Sequence, residues 1–282
     1  MQNIDLHNHS RVSDGLLAPA ELVRLAAANG VTTLALTDHD DTDGLGEAAE
    51  AARGAGLRFI NGVEVSVTWA QHTVHIVGLN IDPLNPALVA GLSAIRGGRM
   101  ERAERIAHEL AKAGIPGALE GALRYAHNPK IVARPHFARY LVEQGVARDV
   151  PSVFKRFLVK GKTGYVKHRW AELGDAVSWI LEAGGVPVLA HPGRYSLNRS
   201  ALDSLIDAFV EAGGLGIEVI TCNHTRDQAE LFADQATRRG LLASRGSDYH
   251  GPGESRLEPG KLPPLPPQCV PVWQAWGDAA LH

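Results

Sequence analysis

Cysteine is nearly absent from this chain of 282 residues: two occur, Cys222 and Cys269, far apart and forming no CxxC pair. That excludes a disulfide framework and makes a reducing cytoplasm the expected home. No apolar run approaches the roughly 18–20 residues that span a bilayer, so no membrane contact is expected. The N-terminus opens straight into a strand pattern, without the charged and then apolar leader of a secretory signal. A surplus of charge is also missing, since 28 Lys and Arg stand against 31 Asp and Glu for a net charge of −3. A chain so balanced is not built to coat duplex DNA, although a local cationic pocket suffices for a short nucleotide. There is no internal repeat, no low-complexity segment and no signal for oligomeric state. What the chain has in excess is histidine, with 13 residues. Most fall at strand ends or beside Pro and Gly rather than on amphipathic faces.

The length suits one barrel-sized domain, with or without an insertion. The first third alternates strand and helix patterns. Strands are predicted at 4–6, 33–37, 58–65 and 74–79, with helices at 19–29 and 48–55 closed by Gly30 and Gly56. The middle, 86–166, carries helical patterns and many Arg and Lys. GGRMERAERIAHELAKAG reads as an amphipathic helix, and ARPHFARYLVEQG reads as another that starts near Pro135. The last third returns to the first rhythm, with strands at 186–190, 216–220 and 241–244 and helices at 201–212 and 227–239. The expected organisation is an α/β barrel made of 1–85 and 167–282, with its site at the C-terminal strand ends. A helical insertion, 86–166, would pack over the mouth. The Pro- and Gly-rich tail from Gly251 is predicted to be a surface wrap.

The residues that carry chemistry sit at the predicted strand ends. His7 and His9, in DLHNHS, share one face of an extended segment and can reach one ion. Alone, such a pair is equally two surface histidines. Asp14 follows in a Ser-Asp-Gly loop, where a turn Asp is common. In TDHD, His39 is the favoured ligand. Asp38 would support a ligand or cap backbone, and Asp40 and Asp41 would prepare the next helix N-terminus. Glu64 stands between valines in a strand, where burial is costly unless the carboxylate is paired or metal-bound. His75 lies mid-strand in TVHIVG, His191 at a strand exit in VLAHPGR, and Asp248 and His250 in GSDYH. His72 is given no role. Any one of these nine has a bland alternative, but nine strand-end coincidences do not. Mixed imidazole and carboxylate donors suit Mn²⁺, Zn²⁺ or Fe²⁺ and argue against a pure Ca²⁺ site.

DLHNHS, TDHD, GVEVS with His75, AHPGR and GSDYH, in that order, resemble the motifs of the polymerase and histidinol phosphatase (PHP) family. The resemblance implies a distorted (β/α)₇ barrel with two to three divalent ions, Mn²⁺ foremost, at its mouth. It implies one ion on His7, His9, Glu64 and Asp248, a second on Glu64, His75 and His191, and a third on Asp14, His39 and His250. It places the catalytic work on His7, His9, Glu64, His191 and Asp248. ARPHFARYLVEQG and LVKGKTGYVKH further resemble the insertion of small bacterial PHP phosphoesterases. That subgroup includes 3′,5′-nucleoside bisphosphate phosphatases and 5′→3′ oligoribonucleotide exonucleases.

The expected reaction is metal-assisted removal of the 3′-phosphate from a nucleoside 3′,5′-bisphosphate. Alternatives are 5′→3′ cleavage of short 5′-phosphorylated RNA, a histidinol-phosphate-type monoesterase, an amidohydrolase, and a degenerate binding module. The last usually loses ligands, and none is lost here. The partners implied are a small nucleotide and, in the exonuclease reading, short RNA. Arg134 and Arg194 are candidate phosphate clamps, because a guanidinium fork matches phosphate oxygens. His136 is a candidate to hydrogen-bond the phosphate or protonate the leaving oxygen. Lys160 and Lys162, in a Gly-containing loop, and Arg99 and Arg102, on a helix, are candidates for a second phosphate. Each of these is otherwise an ordinary solvated cation.

Overall fold

In the computed structural model, which describes residues 2–276, seven strands form one sheet in chain order. They are β1 (Ile4–Asp5), β2 (Thr33–Leu36), β3 (Arg58–Trp69), β4 (His72–Leu79), β5 (Val186–Leu189), β6 (Gly216–Thr221) and β7 (Leu242–Gly246). The first and last strands then meet. The Leu6 N–H donates to the Arg245 carbonyl at 3.0 Å, and the Asp248 N–H donates to the His7 carbonyl at 2.8 Å. The sheet therefore closes into the distorted barrel that the sequence implied. One departure from the βα rhythm is that β4 runs antiparallel to both neighbours. A two-residue turn allows this, with Ala70 at φ 43° and Gln71 at φ 64°. Left-handed backbone at such a turn matches the twist of the strands it joins. His72 is the first residue of β4.

The helices in chain order are α1 (Pro19–Ala28), α2 (Leu45–Ala55), α3 (Pro86–Gly97), α4 (Arg99–Lys112) and α5 (Ala118–Tyr125). They continue with α6 (Arg134–Glu143), α7 (Val150–Val153), α8 (Leu173–Glu182), α9 (Arg199–Glu211) and α10 (Arg226–Arg239). Their starts follow from local chemistry. Before α10, for example, Thr225 Oγ1 accepts the Gln228 N–H at 3.2 Å, and Gln228 Oε1 accepts the Thr225 N–H at 2.9 Å. Strand alternation divides the sheet into two faces. Leu34, Leu36, Val63, Val65, Ile76 and Ile217 pack outward in the larger cluster with the helices. Ala35, Ile60, Val77, Leu79, Val188 and Ala190 form a second cluster inside the barrel. Continued toward the strand ends, the inner face of β3 and β4 turns polar at Glu64 and His75.

Two expectations change. The tail beyond Gly251 ends as part of the barrel, not as a surface wrap. Val272 is fully buried in the inner cluster with Trp273 and Trp276 against it, and the Ala243 N–H donates to the Val270 carbonyl at 2.8 Å. The apolar residues of that tail outweigh its Pro and Gly. The insertion is also shorter than 86–166. Leu88, Leu92 and Ile95 of α3 lie in the main barrel core, because Gly91 lets α3 press its backbone onto Trp179 of α8. A separate core begins with α4, built on Ala103, Ile106, Leu110, Phe137, Leu141 and Leu158. It is tied to the mouth by Arg139, whose Nε donates to Glu254 Oε1 at 2.7 Å and whose Nη2 donates to the Asp14 carbonyl at 2.5 Å.

Val272→Ala should destabilise the fold by about 2 kcal/mol, the order expected for deleting two buried methyl groups. A denaturant titration checks this. An unchanged midpoint would show that the tail is not part of the core.

Candidate metal centre

The nine ligand-type residues converge at one end of the barrel. The segment just beyond β1 supplies His7 and His9, and the loop that follows supplies Asp14. β3 supplies Glu64 and β4 supplies His75. His39, His191, Asp248 and His250 come from just beyond β2, β5 and β7. Glu64 is fully buried at the middle of the group. Its Oε1 lies 2.9 Å from His75 Nδ1 and 2.9 Å from His191 Nε2. Its Oε2 lies 2.9 Å from His39 Nδ1, 3.3 Å from His9 Nε2 and 3.4 Å from His7 Nε2. Asp248 Oδ1 stands 3.3 Å from His9 Nε2 and 3.7 Å from His7 Nε2. Asp14 stands 3.4 Å from His250 Nε2 and 3.7 Å from His39 Nε2.

Among the described residues, ligand atoms close enough to share an ion fall into four overlapping groups, where the resemblance implied three with Glu64 shared between two of them. His7 and Asp248 group with His9, His7 and Glu64 with His191, His39 and Glu64 with His75, and Asp14, His39 and His250 again with His9. His7, His9, His39 and Glu64 are thus each common to two groups.

The donor atoms themselves ask for cations. His9 Nδ1 and His191 Nδ1 are buried with no hydrogen-bond partner, and Glu64 Oε2 and His39 Nδ1 face each other at 2.9 Å without hydrogen-bond alignment. Leaving such atoms unsatisfied costs about 1–3 kcal/mol each. His7 Nε2 and His9 Nε2 are 3.1 Å apart. That is close to the roughly 3.0 Å between neighbouring nitrogens at right angles on an ion with bonds of ~2.1 Å. Charge tells the same story. Burial opposes a proton on His9, yet its hydrogen bonds to Asp248 and Glu64 push it up to about 10. Burial would likewise raise Glu64, yet His39, His75 and His7 hold it well below the usual carboxylate range. The carboxylates therefore demand positive charge, which an imidazolium or a metal ion can supply. Burial pushes His75 and His250 down to about 4, toward the neutral form that ligates. The residues present fit a site for divalent ions.

Supporting groups fix these ligands. Glu218, on β6, was not singled out in the sequence. Its Oε1 accepts a hydrogen bond from His7 Nδ1 at 2.8 Å, and its Oε2 accepts the His191 N–H at 2.6 Å. That leaves His7 Nε2 to face the centre, and it holds His191 in a left-handed backbone at φ 27°. GIEVI carries the same signal as Glu64, an acid between β-branched residues, so Glu218 was findable. Asp38 accepts from the Ser10 N–H at 2.7 Å and from Ser10 Oγ and Ser13 Oγ at 2.6 Å each, which shapes the loop between His9 and Asp14. Asp40 and Asp41 do not prepare α2, which starts after Gly44. Asp40 instead accepts the Ser66 N–H at 2.6 Å and pairs with buried Arg99, since it is left in the barrel mouth where an arginine can reach it. Asp41 accepts from the Asp43 N–H at 2.8 Å and from Asn128 at 3.0 Å.

A cleft beside the centre is walled by Arg99, Arg102, Arg134, Arg194 and Trp170, with Asp14, His39, His75 and His250 at its base. Arg194 donates to Asp248 Oδ2 at 2.5 Å. Arg134 donates to the Leu158 carbonyl at 3.2 Å. Arg102 is buried, lies 5.2 Å over the Trp170 ring, and has an unpartnered Nε. Burial, with Arg134 and Arg99 alongside, pushes its guanidinium down to about 9. Cations so crowded call for an anion.

Three candidates do not line this cleft. His136 is buried, and its Nδ1 accepts the Ala133 N–H at 3.0 Å as part of the α6 cap. Burial also pushes it down to about 4, so at neutral pH it is a neutral imidazole and not an imidazolium acid. Lys160 and Lys162 project into solvent from an exposed turn, because the buried side of that segment is occupied by Leu158.

A model of the PHP domain matches residues 5–221. A curated relative, the 3′,5′-nucleoside bisphosphate phosphatase of Chromobacterium violaceum, is 54% identical over 97% of this chain and 96% of its own. The 5′-3′ exoribonuclease Rnm of Escherichia coli K12 is 44% identical over 96% of this chain and 93% of its own. A solved structure of an amidohydrolase from Chromobacterium violaceum with bound sulfate superposes with a TM-score of 0.94 at 54% identity, over 97% of this chain and 95% of that one.

Glu218→Gln should keep the shape of the site while weakening the acceptor that aligns His7. Metal affinity should fall roughly 10- to 100-fold, the usual effect of losing a group that orients a ligand. Chelator competition measures it, with circular dichroism unchanged. Wild-type affinity would mean that Glu218 only fills space.

Proposed function

The chain belongs to the PHP-domain family, and from that premise we propose that it hydrolyses the 3′-phosphate of nucleoside 3′,5′-bisphosphates, leaving a nucleoside 5′-monophosphate. The observation that carries this reading is the pairing of a nine-ligand centre with a wall of four arginines in one cleft. A substrate with one phosphate at the ligands and another some distance away uses both parts. Histidinol phosphate offers no second phosphate, and an amide offers none. The bisphosphate phosphatase that is 54% identical to this chain supports the same reading.

Bound divalent ions, proposed to be Mn²⁺, lower the pKa of water and neutralise phosphate oxygens. The chain's own residues do the rest. His7, His9, Asp14, His39, Glu64, His75, His191, Asp248 and His250 would hold the ions, with Glu64 at the middle of the group. Arg194, free to leave Asp248 because nearly half of its side chain is exposed, meets the phosphate being cleaved. Arg102 and Arg134 bind the 5′-phosphate through charge-assisted hydrogen bonds. Arg99 is held by Asp40, so it contributes field more than a free fork, and Trp170 keeps it and Arg102 in place from 4.9 and 5.2 Å. Fixed charge already in position costs no reorganisation when the transition state forms.

The test is phosphate release with Mn²⁺ from a 3′,5′-bisphosphate, a 3′-monophosphate, histidinol phosphate and a panel of amides. The bisphosphate should be the preferred substrate, and removing metal with a chelator should abolish turnover. Preference for histidinol phosphate or an amide would overturn the proposal. Arg134→Ala should lower kcat/KM on the bisphosphate by about 10- to 100-fold, as expected for a charge-assisted contact worth ~1.5–3 kcal/mol. It should leave the metal content and the weaker 3′-monophosphate reaction largely unchanged. Unaltered bisphosphate kinetics would remove Arg134 from the site.

A further inference from the structure

One short turn serves both the ligand cluster and the cleft. Pro192–Arg194 follows His191 of the cluster and ends on Arg194 of the cleft wall. Three sets of contacts hold this turn. At its entry, Glu218 Oε2 accepts the His191 N–H at 2.6 Å. Past its exit, the Tyr195 hydroxyl donates to the Ala190 carbonyl at 2.8 Å and accepts the His75 N–H at 2.9 Å. Both of these sets also fix residues of the cluster. The third set meets the turn only at Gly193. It comes from His224, in the loop after β6, and from Gln228, in the first turn of α10.

His224 is held in one tautomer. Its Nδ1 lies 3.0 Å from the Val219 carbonyl, which can only accept, so Nδ1 carries the proton. Its Nε2 then accepts the Gly193 N–H at 3.1 Å. Burial pushes the ring down, toward the neutral form that this contact needs. Phe232 packs against it, with ring centroids 4.8 Å apart. Gln228 uses both ends of its amide. Oε1 accepts the Thr225 N–H at 2.9 Å, and Nε2 donates to the Gly193 carbonyl at 3.2 Å. A capping box takes either Glu or Gln at this place, but only the amide can also donate to Gly193. The carbonyl it meets belongs to the peptide that joins Gly193 to Arg194. The other edge of that peptide, the Arg194 N–H, donates to the His191 carbonyl at 2.9 Å. The plane from which the arginine departs is thus fixed on both edges. The approach is close enough to need glycine, since a Cβ at 193 would lie 2.8 Å from both Gln228 Nε2 and His224 Cδ2.

We propose that His224 and Gln228 are positioning residues: by gripping Gly193 they aim Arg194 at the phosphate being cleaved. The inference rests on the reading of Arg194 as a contact to that phosphate. A long cationic side chain binds an anion more tightly from a fixed base, because less of it must be ordered on binding. Glu218 and Tyr195 hold the cluster's share of the turn without help from Gly193. Loosening Gly193 therefore weakens the grip on the anion and spares the grip on the ions.

The experiment measures binding of inorganic phosphate to the full chain loaded with Mn²⁺ by calorimetry. It compares wild type, Gln228→Glu, His224→Phe and Arg194→Ala, and each of the first two changes combined with Arg194→Ala. Gln228→Glu keeps the acceptor for Thr225 and loses the donor to Gly193. His224→Phe keeps a ring against Phe232 and loses both hydrogen bonds, so either variant can decide the question if the other fails to fold. Each should weaken phosphate binding about 2- to 10-fold, the scale of one neutral hydrogen bond. Mn²⁺ affinity, read by chelator competition, should not change. In the Arg194→Ala background neither change should weaken phosphate binding further, as expected when one residue acts through another. Wild-type phosphate affinity in a folded variant, equal losses with and without Arg194, or a parallel loss of Mn²⁺ affinity would overturn the inference and leave the proposed function standing. Wild-type phosphate affinity in Arg194→Ala alone would overturn both the inference and the part given to Arg194 in that function.

Discussion

The two oxygens of one buried carboxylate, Glu64, organise the mouth of this barrel. Oε1 faces His75 and His191, and Oε2 faces His39, His9 and His7. A carboxylate with no exposure is tolerable only where positive charge surrounds it. The imidazoles alone meet that need awkwardly. Some are drawn toward protonation and others pushed away from it, and several ring nitrogens are left without partners. Cations held on both sides of Glu64 would resolve the conflict. They would satisfy the lone pairs, relieve the mutual repulsion of Glu64, Asp14 and Asp248, and let the histidines stay neutral.

The fold serves that arrangement. His75 reaches Glu64 because β3 and β4 form a tight hairpin, with Ser66 opposite His75 in register. His7 and Asp248 come from opposite ends of the chain and meet because β1 and β7 close the barrel. Gly246 allows this closeness, since a Cβ there would lie 2.2 Å from that of His7. Below the ligands the interior is apolar and is floored by Val272. Above them the insertion supplies Arg99, Arg102 and Arg134, and Arg139 pins it to the Asp14 loop. The metal-type ligands and three of the four arginines of the cleft thus belong to different cores, which meet at the cleft.

Much of this is legible in the sequence, for a physical reason. A ligand must be a polar side chain at the end of an apolar strand, and that contrast survives in one dimension. His7, His9, His39, Glu64, His75, His191, Asp248 and His250 all carry it, and the structure gathers them with Asp14. Glu218 carries it too, yet an acid that supports a ligand looks the same in sequence as one that is a ligand. What the sequence hides is direction and destination. The reversal of β4 depends on left-handed backbone at Ala70 and Gln71, residues that seldom mark such turns. The long cationic side chains are harder still, because four or five rotatable bonds separate backbone from charge. Arg102 ends buried under Trp170, Arg99 ends on Asp40, and Lys160 ends in solvent, although all three sit in similar polar stretches. His136 likewise spends its ring on a helix cap, a local contact that its RPH setting does not announce.

The account turns on Glu64 serving two sides at once. Anomalous diffraction from crystals grown with Mn²⁺ tests this most directly. The account predicts separate anomalous peaks next to Glu64 Oε1, with His75 and His191, and next to Glu64 Oε2, with His7, His9 and Asp248. A single peak confined to one side, with the other oxygen's histidines bound only to protein or water, would contradict it.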